Sequence, residues 1–217
     1  VLLSLTKLNQ IRSIDPLARL AYVQPGVRNL AISEAAKPYG LHYAPDPSSQ
    51  IACSIGGNVA ENSGGVYGLT VHNILKLRVL TITGEVLEIG GESLDSAGYD
   101  LLALMTGSEG MLGIVTEIVV KLIPLPQKAQ LVMSSFDDVH KAAQAVADVI
   151  GAGIIPAGME MMDKITIHAV EELLHIGYDL NAAAILLCES DGNVEEVADE
   201  IACIQRIMKL SGATRIS

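Results

Sequence analysis

The sequence predicts an α+β fold made of two regions joined by a proline-rich connector. In the first region, Ile114 to Leu122 is the strongest predicted strand because β-branched residues suit strands. Thr83-Gly84 predicts a hairpin between strands 74–83 and 86–89. The prolines of Pro124-Leu125-Pro126 cannot continue a strand ladder and mark the boundary. Beyond them, alternating strands and helices predict most of a split βαβ (ferredoxin-like) layer with helices on one face.

Composition excludes several classes of protein. The chain has 217 residues, of which 50% are hydrophobic and 18% charged, which excludes disorder and allows a sizeable core. No apolar run approaches the ~18 residues of a membrane-spanning helix, so no transmembrane segment is expected. A net charge of −11 without a Lys/Arg cluster argues against nucleic acid as a partner. Three cysteines without CxxC spacing (Cys53, Cys188 and Cys203) indicate a reducing, cytoplasmic location.

Smaller elements follow from local signals. In the first region, Val1 to Leu8 and Leu17 to Val23 are predicted strands, and Leu101 to Met105 is a short helix. Arg28 to Tyr39 is predicted as a helix that Gly40 ends. The predicted elements of the second region are, in chain order, strand Leu131 to Ser134, helix Asp137 to Ile150 with Ser135 as N-cap, strand Gly158 to Met162, a helix capped by Asp163 and running to His175, strand Ala183 to Cys188, and a helix from Asn193 to Leu210 that ends at Gly212.

Three stretches could carry chemistry. The glycine pairs of Cys53 to Gly65 would let a ligand approach the main chain, whose N–H groups can hold an anion or a carbonyl oxygen. Gly107 to Thr116 places glycines at the mouth of a buried strand, and Tyr43 to Ser49 displays a carboxylate and two hydroxyls. Neither a Rossmann G-x-G-x-x-G nor a P-loop is present. Taken singly, the first stretch is more often a tight loop and the third a proline-rich surface loop than a ligand site, and the second is explained equally well as a helix-to-strand loop.

No metal site or catalytic residue can be assigned from spacing. His168 and His175 share one face of a predicted helix, but no carboxylate completes a ligand set, so a solvated or packed role is favoured. The acidic residues of the predicted helices indicate solvated faces. No Ser-His-Asp arrangement is favoured.

Taken together and in order, these stretches resemble the FAD-linked oxidases of the vanillyl-alcohol oxidase/PCMH type. The resemblance is strongest to the group containing the FAD-binding subunits of bacterial glycolate oxidases and D-lactate dehydrogenases. Its motifs cover nearly the whole chain, from Val23-Gln24-Pro25-Gly26-Val27 through 43–50, 53–65, 67–73 and 101–121 to Glu189-Ser190-Asp191-Gly192.

The resemblance implies a domain organisation. Residues 1–124 would be the second part of a PCMH-type FAD-binding domain that lacks its pyrophosphate loop. Residues 127–217 would begin the C-terminal cap (substrate) domain of these oxidases. The cofactor implied is FAD.

The resemblance also implies a function. It is oxidation of a small 2-hydroxy acid, glycolate or D-lactate, by hydride transfer to flavin N5. Alternatives are a same-fold oxidase for D-2-hydroxyglutarate or a sugar alcohol, and a non-catalytic scaffold subunit of a larger oxidase. Other oxidase subunits are implied partners, and they could attach the protein to the inner membrane.

Site residues are implied in the same way. The 45–49 loop and residues 53–58 would line the flavin and its diphosphate. Residues 61–65 would lie near the ring system or ribityl chain, and residues 109–115 would hold the adenine end or the flavin edge. The implied cofactor-binding residues are Pro45, Asp46, Ser48, Ser49, Cys53, Ser54, Gly56, Gly57, Asn58, Glu61, Asn62, Gly64, Gly65, Glu109, Gly110, Gly113, Ile114 and Val115.

The sequence departs from the family pattern in ways that carry further expectations. Val1 opens within an apolar run, and the glycine-rich loop and histidine-rich motifs of the family are not present. We therefore expect an excerpt of a longer protein that binds FAD weakly or not at all by itself, with its catalytic base outside this chain. The family has several more residues between Val66 and Tyr67, so this loop is either short or incomplete here.

Overall fold

The computed structural model describes residues 3–93 and 98–217, which form two compact units. The first unit is Val1–Leu125 and the second is Pro126–Ser217. Within the described residues, no helix is both long and apolar enough to cross a membrane. All three cysteines are free thiols.

The first unit is built on an antiparallel sheet. The elements of the unit are β1 (Ile11–Asp15), β2 (Leu20–Val23), α1 (Asn29–Ala36), β3 (Leu41–His42), α2 (Ile55–Glu61), β4 (Gly64–Gly65), β5 (Gly68–Leu69), β6 (Ile74–Leu80), β7 (Val86–Gly90), α3 (Leu101–Met105), β8 (Ile114–Lys121) and β9 (Ile123–Pro124). The sheet has five strands in the order β1-β2-β8-β6-β7, as far as its described residues show. Short 3-10 helices follow α1 and β5.

The two faces of this sheet differ in character. One face packs its apolar side chains against Ile32 of α1, Val59 of α2 and Met105 of α3, all of them buried. The opposite face carries charged pairs, among them Lys76 with Glu88 at 2.6 Å between Nζ and Oε2. The helices therefore bury one side of the sheet, which is the arrangement expected of an α+β layer.

The second unit has the ferredoxin-like strand order. Its antiparallel sheet runs β11-β12-β10-β13 across the described residues, so the first and third strands of the unit are adjacent at its centre. This confirms the fold class predicted from the sequence. Its elements are β10 (Lys128–Phe136), α4 (Val139–Gly151), β11 (Gly158–Asp163), α5 (Lys164–Leu174), β12 (Ala184–Gly192), α6 (Val194–Leu210) and β13 (Arg215–Ile216).

The prediction that the helices of this region lie on one face is wrong. Ala184, Leu186 and Cys188, which point to one face of β12, pack in the core formed with α4 and α6. The intervening Ile185 packs instead with Ile167 of α5, and both side chains are fully buried. Because successive side chains of a strand point to opposite faces, α5 covers the other side of the sheet.

The prediction of a first strand over Val1 to Leu8 is also wrong for the residues that the structure describes. Residues 3–10 form a turn and an irregular segment, and Val1 and Leu2 lie outside the described residues. The carbonyl of Leu8 accepts the N–H of Gly26 at 2.7 Å, and its N–H donates to Leu5. These main-chain groups serve the Pro25-Gly26 turn, and the first strand lies at Ile11–Asp15 instead.

Helix caps show where local prediction succeeds and fails. Asp163 caps α5 as predicted, since its carboxylate accepts the N–H of Thr166 at 2.8 Å. Ser135 does not cap α4, because β10 extends through Phe136 and the cap is Asp138, which accepts from the N–H of His140 at 2.9 Å. The hairpin of β6 and β7 occurs where predicted, as do α3 and β8. The helix predicted over 28–39 is α1 followed by a 3-10 helix, which ends at Gly40 in the left-handed conformation.

Phe136 is expected to dominate the stability of the second unit. Its side chain is fully buried in the core between β10 and the helices α4 and α6. We expect Phe136→Ala to lower the free energy of unfolding by about 3–5 kcal/mol, because it leaves a cavity in a close-packed core. Urea denaturation measures the change. Leu131→Ala on the same strand is the matched control, since Leu131 is 51% exposed and should cost far less. Equal losses in the two variants would contradict this assignment of the core.

Glu171 is expected to make the stability of the second unit depend on pH. Its carboxylate accepts the N–H groups of Tyr178 and Gly177 at 2.9–3.0 Å, and these hydrogen bonds hold the pKa of Glu171 below its usual value. A lowered pKa in the folded state stabilises the fold above the ordinary carboxyl pKa, and this contribution is lost as pH falls through the folded-state pKa.

We therefore expect Glu171→Gln to lower the melting temperature at neutral pH, and the difference from wild type to shrink on acidification. Thermal unfolding followed by circular dichroism between pH 7 and pH 3 measures this. The exposed neighbour Glu172, changed to Gln, is the control. A difference that stays constant with pH would show that the Glu171 charge has no part in holding the 175–178 turn.

Candidate functional site

Residues 55–61 form a helix where the sequence analysis expected a glycine-rich loop. Ser54 caps α2, since its hydroxyl accepts the N–H of Gly57 at 3.3 Å. Gly56 allows the helix to lie directly against Pro25, because a Cβ there would stand 2.5 Å from the Pro25 Cβ. The N–H of Gly56 also donates to the Pro25 carbonyl at 2.8 Å. The sequence does carry a signal for this helix, because Ser54 can cap it and the apolar Ile55 and Val59 lie four residues apart on one face. Gly56 and Gly57 obscure that signal, since glycine disfavours helices.

The second glycine-rich stretch, Gly107 to Thr116, is hydrogen-bonded to the carboxyl-terminal end of α2. Gly107 donates its N–H to the carbonyl of Val59, and Glu109 donates to Ala60, both at 2.8 Å. Glu109 has a φ of +54°, a left-handed conformation that few non-glycine residues adopt. Two stretches separated by about fifty positions in the sequence therefore meet through main-chain hydrogen bonds, as loops around a ligand site would.

These two stretches border a cleft of about 290 Å³ in the first unit. Ligand sites commonly occupy about 300–1,000 Å³, so the cleft has the size for one ring system of a dinucleotide. Its described lining residues include no charged side chain, and several expose only main chain and methyl groups. They are Leu3, Leu5, Pro25, Gly56, Ala60, Met105, Ser108, Gly110, Gly113, Ile114 and Val115.

The cleft fits part of a flavin or adenine group. Gly110 has open space where a Cβ would project, so a planar ligand can reach its main chain. Gly113 instead packs on β6, because a Cβ there would meet the Val79 side chain at 2.5 Å. Apolar side chains with main chain between them suit a flat aromatic ring, whereas a diphosphate would need donors from outside this lining.

The proline-rich stretch adjoins the same region from another side. Asp46 is half-buried, and its Oδ1 accepts the N–H of Tyr67 at 3.0 Å. Its main chain lies so close to Gly65 that no side chain fits there. The carbonyl of Pro45 accepts the Nδ2 of Asn29 at 2.8 Å inside the core. This stretch is joined to the first glycine-rich stretch, since the N–H of Cys53 donates to the carbonyl of Ser49 at 2.8 Å. It does not line the cleft.

The segment after α2 turns back sharply on itself. Asn62 ends the helix in the left-handed conformation, and its Oδ1 accepts the N–H of Val71 at 3.0 Å. Gly64–Gly65 pairs with Gly68–Leu69, so that Val66 and Tyr67 form a two-residue hairpin turn in this chain. In the structure, the loop at Val66 and Tyr67 is therefore a tight turn between two short paired strands.

The predicted cofactor-binding residues fall into two groups. Gly56, Gly110, Gly113, Ile114 and Val115 line the cleft together. The other residues do not contribute to its described lining, and their roles in binding FAD stay predictions. Those others are Pro45, Asp46, Ser48, Ser49, Cys53, Ser54, Gly57, Asn58, Glu61, Asn62, Gly64, Gly65 and Glu109.

Two side chains of these stretches, those of Asn58 and Tyr43, are buried in the core of the first unit. Asn58 is buried, and its Nδ2 donates to the Oδ1 of Asn29 at 2.8 Å. Burial raises the pKa of the Tyr43 phenol above its usual value, so Tyr43 stays neutral in the core. Asn29, the partner of Asn58, lies outside the three stretches that the sequence pattern indicates, and no motif points to it.

The histidines of the second unit do not assemble a metal site. The Nε2 of His168 lies 3.1 Å from the carbonyl oxygen of Leu180, and His175 ends α5 in the left-handed conformation. Among the residues that the structure describes, no three His, Cys, Asp or Glu side chains are grouped to hold a metal ion.

Each of the two units matches a known protein family. Residues 1–90 match the family described as FAD binding domain, and residues 125–217 match the C-terminal domain of FAD linked oxidases. Both descriptions name FAD, the cofactor that the resemblance implied.

Individual relatives agree with the two domains. The glycolate oxidase subunit GlcD of Escherichia coli (strain K12) is 56% identical over 220 residues, which cover 100% of this chain and 44% of the relative. A D-lactate dehydrogenase of Anaerostipes hadrus is 34% identical, covering 93% of this chain and 44% of the relative. The chain thus spans less than half of the length of these relatives.

A solved structure supports the fold. The crystal structure of p-cresol methylhydroxylase with substrate bound superposes with a TM-score of 0.78 at 18% identity, covering 98% of this chain and 47% of that one. The fold is therefore that of the PCMH-type proteins. Both family matches and the relatives agree, and the chain belongs to the FAD-linked oxidases.

Proposed function

We propose that the protein is the FAD-binding subunit of an oxidase that removes two electrons from a small 2-hydroxy acid, glycolate or D-lactate. The observation that carries this proposal is the 56% identity, along the whole of this chain, to a subunit of a glycolate oxidase. The relative named a D-lactate dehydrogenase supports the same class of substrate. Assembly with other oxidase subunits is part of the proposal, because that first relative is itself named a subunit.

In this proposal the cleft holds a ring of the cofactor and excludes water from it. Leu5, Met105 and Ile114 supply an apolar lining, and Gly110 exposes main chain to the edge of a planar ring. FAD, when bound, supplies a two-electron acceptor for the hydrogen on the hydroxyl-bearing carbon. The described lining of the cleft contains no Lys, Arg or His. The groups that bind the substrate carboxylate and take its hydroxyl proton are therefore expected beyond this cleft.

The test is anaerobic reduction of the purified protein, expressed from its complete reading frame. We expect it to purify with bound flavin, and we expect the visible absorbance of that flavin to bleach on addition of glycolate or D-lactate. Acetate is the matched control, because it has the carboxylate but no hydroxyl to oxidise. L-lactate tests whether the site distinguishes the two configurations at carbon 2.

Other outcomes separate the alternatives. Bleaching by D-2-hydroxyglutarate alone would keep the class of reaction and change the substrate. Bound flavin that no 2-hydroxy acid reduces would favour a non-catalytic subunit. A protein that neither retains nor takes up FAD would overturn the proposal.

Filling the cleft is expected to weaken FAD binding without unfolding the protein. Ala60 lines the cleft from the last turn of α2, a helix in which leucine is well tolerated. We expect Ala60→Leu to raise the dissociation constant of FAD at least tenfold, or about 1.4 kcal/mol. Quenching of flavin fluorescence during titration of the apoprotein measures it.

The control for this variant is Ala103→Leu. Ala103 is exposed on α3, and it does not contribute to the described lining of the cleft. We expect its affinity for FAD to match that of wild type. If Ala60→Leu also binds FAD normally while remaining folded, the cofactor does not occupy this cleft.

A further inference from the structure

Asn29 joins three segments that approach the candidate site from different parts of the chain. It is the first residue of α1 and is 1% exposed. Its main-chain N–H donates to the carbonyl of Cys53 at 3.0 Å, and its Nδ2 donates to the carbonyl of Pro45 at 2.8 Å. Its Oδ1 accepts the Nδ2 of Asn58 at 2.8 Å. One side-chain amide thus uses both its donor and its acceptor on separate segments.

The two side-chain contacts of Asn29 act on different parts of the site. Asn58 belongs to α2, the helix that presents Gly56 and Ala60 to the cleft. Pro45 begins the loop whose Asp46 holds the hairpin turn at Tyr67. A side chain that binds both fixes the helix relative to the loop, and burial makes an unmade hydrogen bond at either partner costly.

We propose that Asn29 is a positioning residue for FAD binding. Through Asn58 and Pro45 it holds α2 and the 45–49 loop in the arrangement that leaves the cleft open to the cofactor. It is not among the cleft's described lining residues, so it acts through these two neighbours and not by contact with the ligand. The inference rests on the proposed function, since it presumes that FAD occupies the cleft.

The test compares two asparagines in the protein expressed from its complete reading frame. Asn29→Leu keeps the approximate volume of the side chain and removes both hydrogen bonds. Asn73→Leu is the matched control, because Asn73 is 6% exposed and its Nδ2 donates to a carbonyl, that of Leu69 at 3.0 Å, within its own turn. FAD affinity is measured by fluorescence titration, and stability by urea denaturation of the apoprotein.

We expect Asn29→Leu to raise the dissociation constant of FAD at least tenfold, and Asn73→Leu to change it less than twofold when both are folded. We also expect amide hydrogen exchange to accelerate over residues 45–53 and in α2 of apo Asn29→Leu, and not in Asn73→Leu. This second measurement needs no bound cofactor. If Asn29→Leu fails to fold, Asn29→Ser, which cannot reach both partners, takes its place.

A double variant tests the route of the effect. Asn29→Ala and Asn58→Ala should each weaken FAD binding, and the double variant should lose little more than the worse single variant, because both remove one shared contact. Additive losses would overturn the proposed route.

The remaining outcomes distinguish this inference from the proposed function. Wild type that binds FAD, with Asn29→Leu binding equally well or no worse than Asn73→Leu, overturns the role of Asn29 and leaves the proposed function intact. Wild type that binds no FAD overturns both. Unchanged amide exchange over residues 45–53 and α2 overturns the positioning role whatever the affinities.

Discussion

The first unit depends on the close approach of two pieces of main chain at Gly56 and Pro25. Only a residue without a Cβ allows α2 to lie against the turn at this distance, and the hydrogen bond from Gly56 to the Pro25 carbonyl fixes the contact. Once α2 is placed, its last carbonyls receive Gly107 and Glu109, and the cleft lies between that loop, the helix and the turn. The site is thus a product of main-chain packing more than of side-chain chemistry.

This origin explains the chemical character of the cleft. Glycines and short apolar side chains permit a planar group to lie against peptide bonds, but they supply neither charge nor a titrating group. In the proposed function the first unit therefore supplies shape and an apolar lining. In the proposed function, substrate recognition and proton transfer belong to other residues of the enzyme, and FAD supplies the redox chemistry.

The sequence predicted most regular elements because their signals are local. The β-branched run of β8, the aspartate cap of α5 and Gly40, which ends the 3-10 helix after α1, each act over a few residues. It failed where a distant contact decides the outcome. Gly56 and Gly57 argue against a helix until Pro25 is seen to require the glycine, and Ile185 reveals its partner in α5 only in the folded structure. Likewise, Asn29 carries no motif, and its importance comes from groups sixteen to twenty-nine positions away.

Because helices cover both sides of the second sheet, both faces of β12 are apolar, and alternating polarity cannot fix the register of this strand. Ile185 and Leu186 are of equal size, and both are buried, so a shift of one residue would exchange them at little cost in apolar contact. The polar end of the strand prevents this exchange. The Ser190 hydroxyl, itself fully buried, donates to Glu200 of α6 at 2.6 Å, and a slipped strand would turn that hydroxyl toward the wrong layer. This hydrogen bond therefore favours the observed register of β12 over one shifted by a single residue.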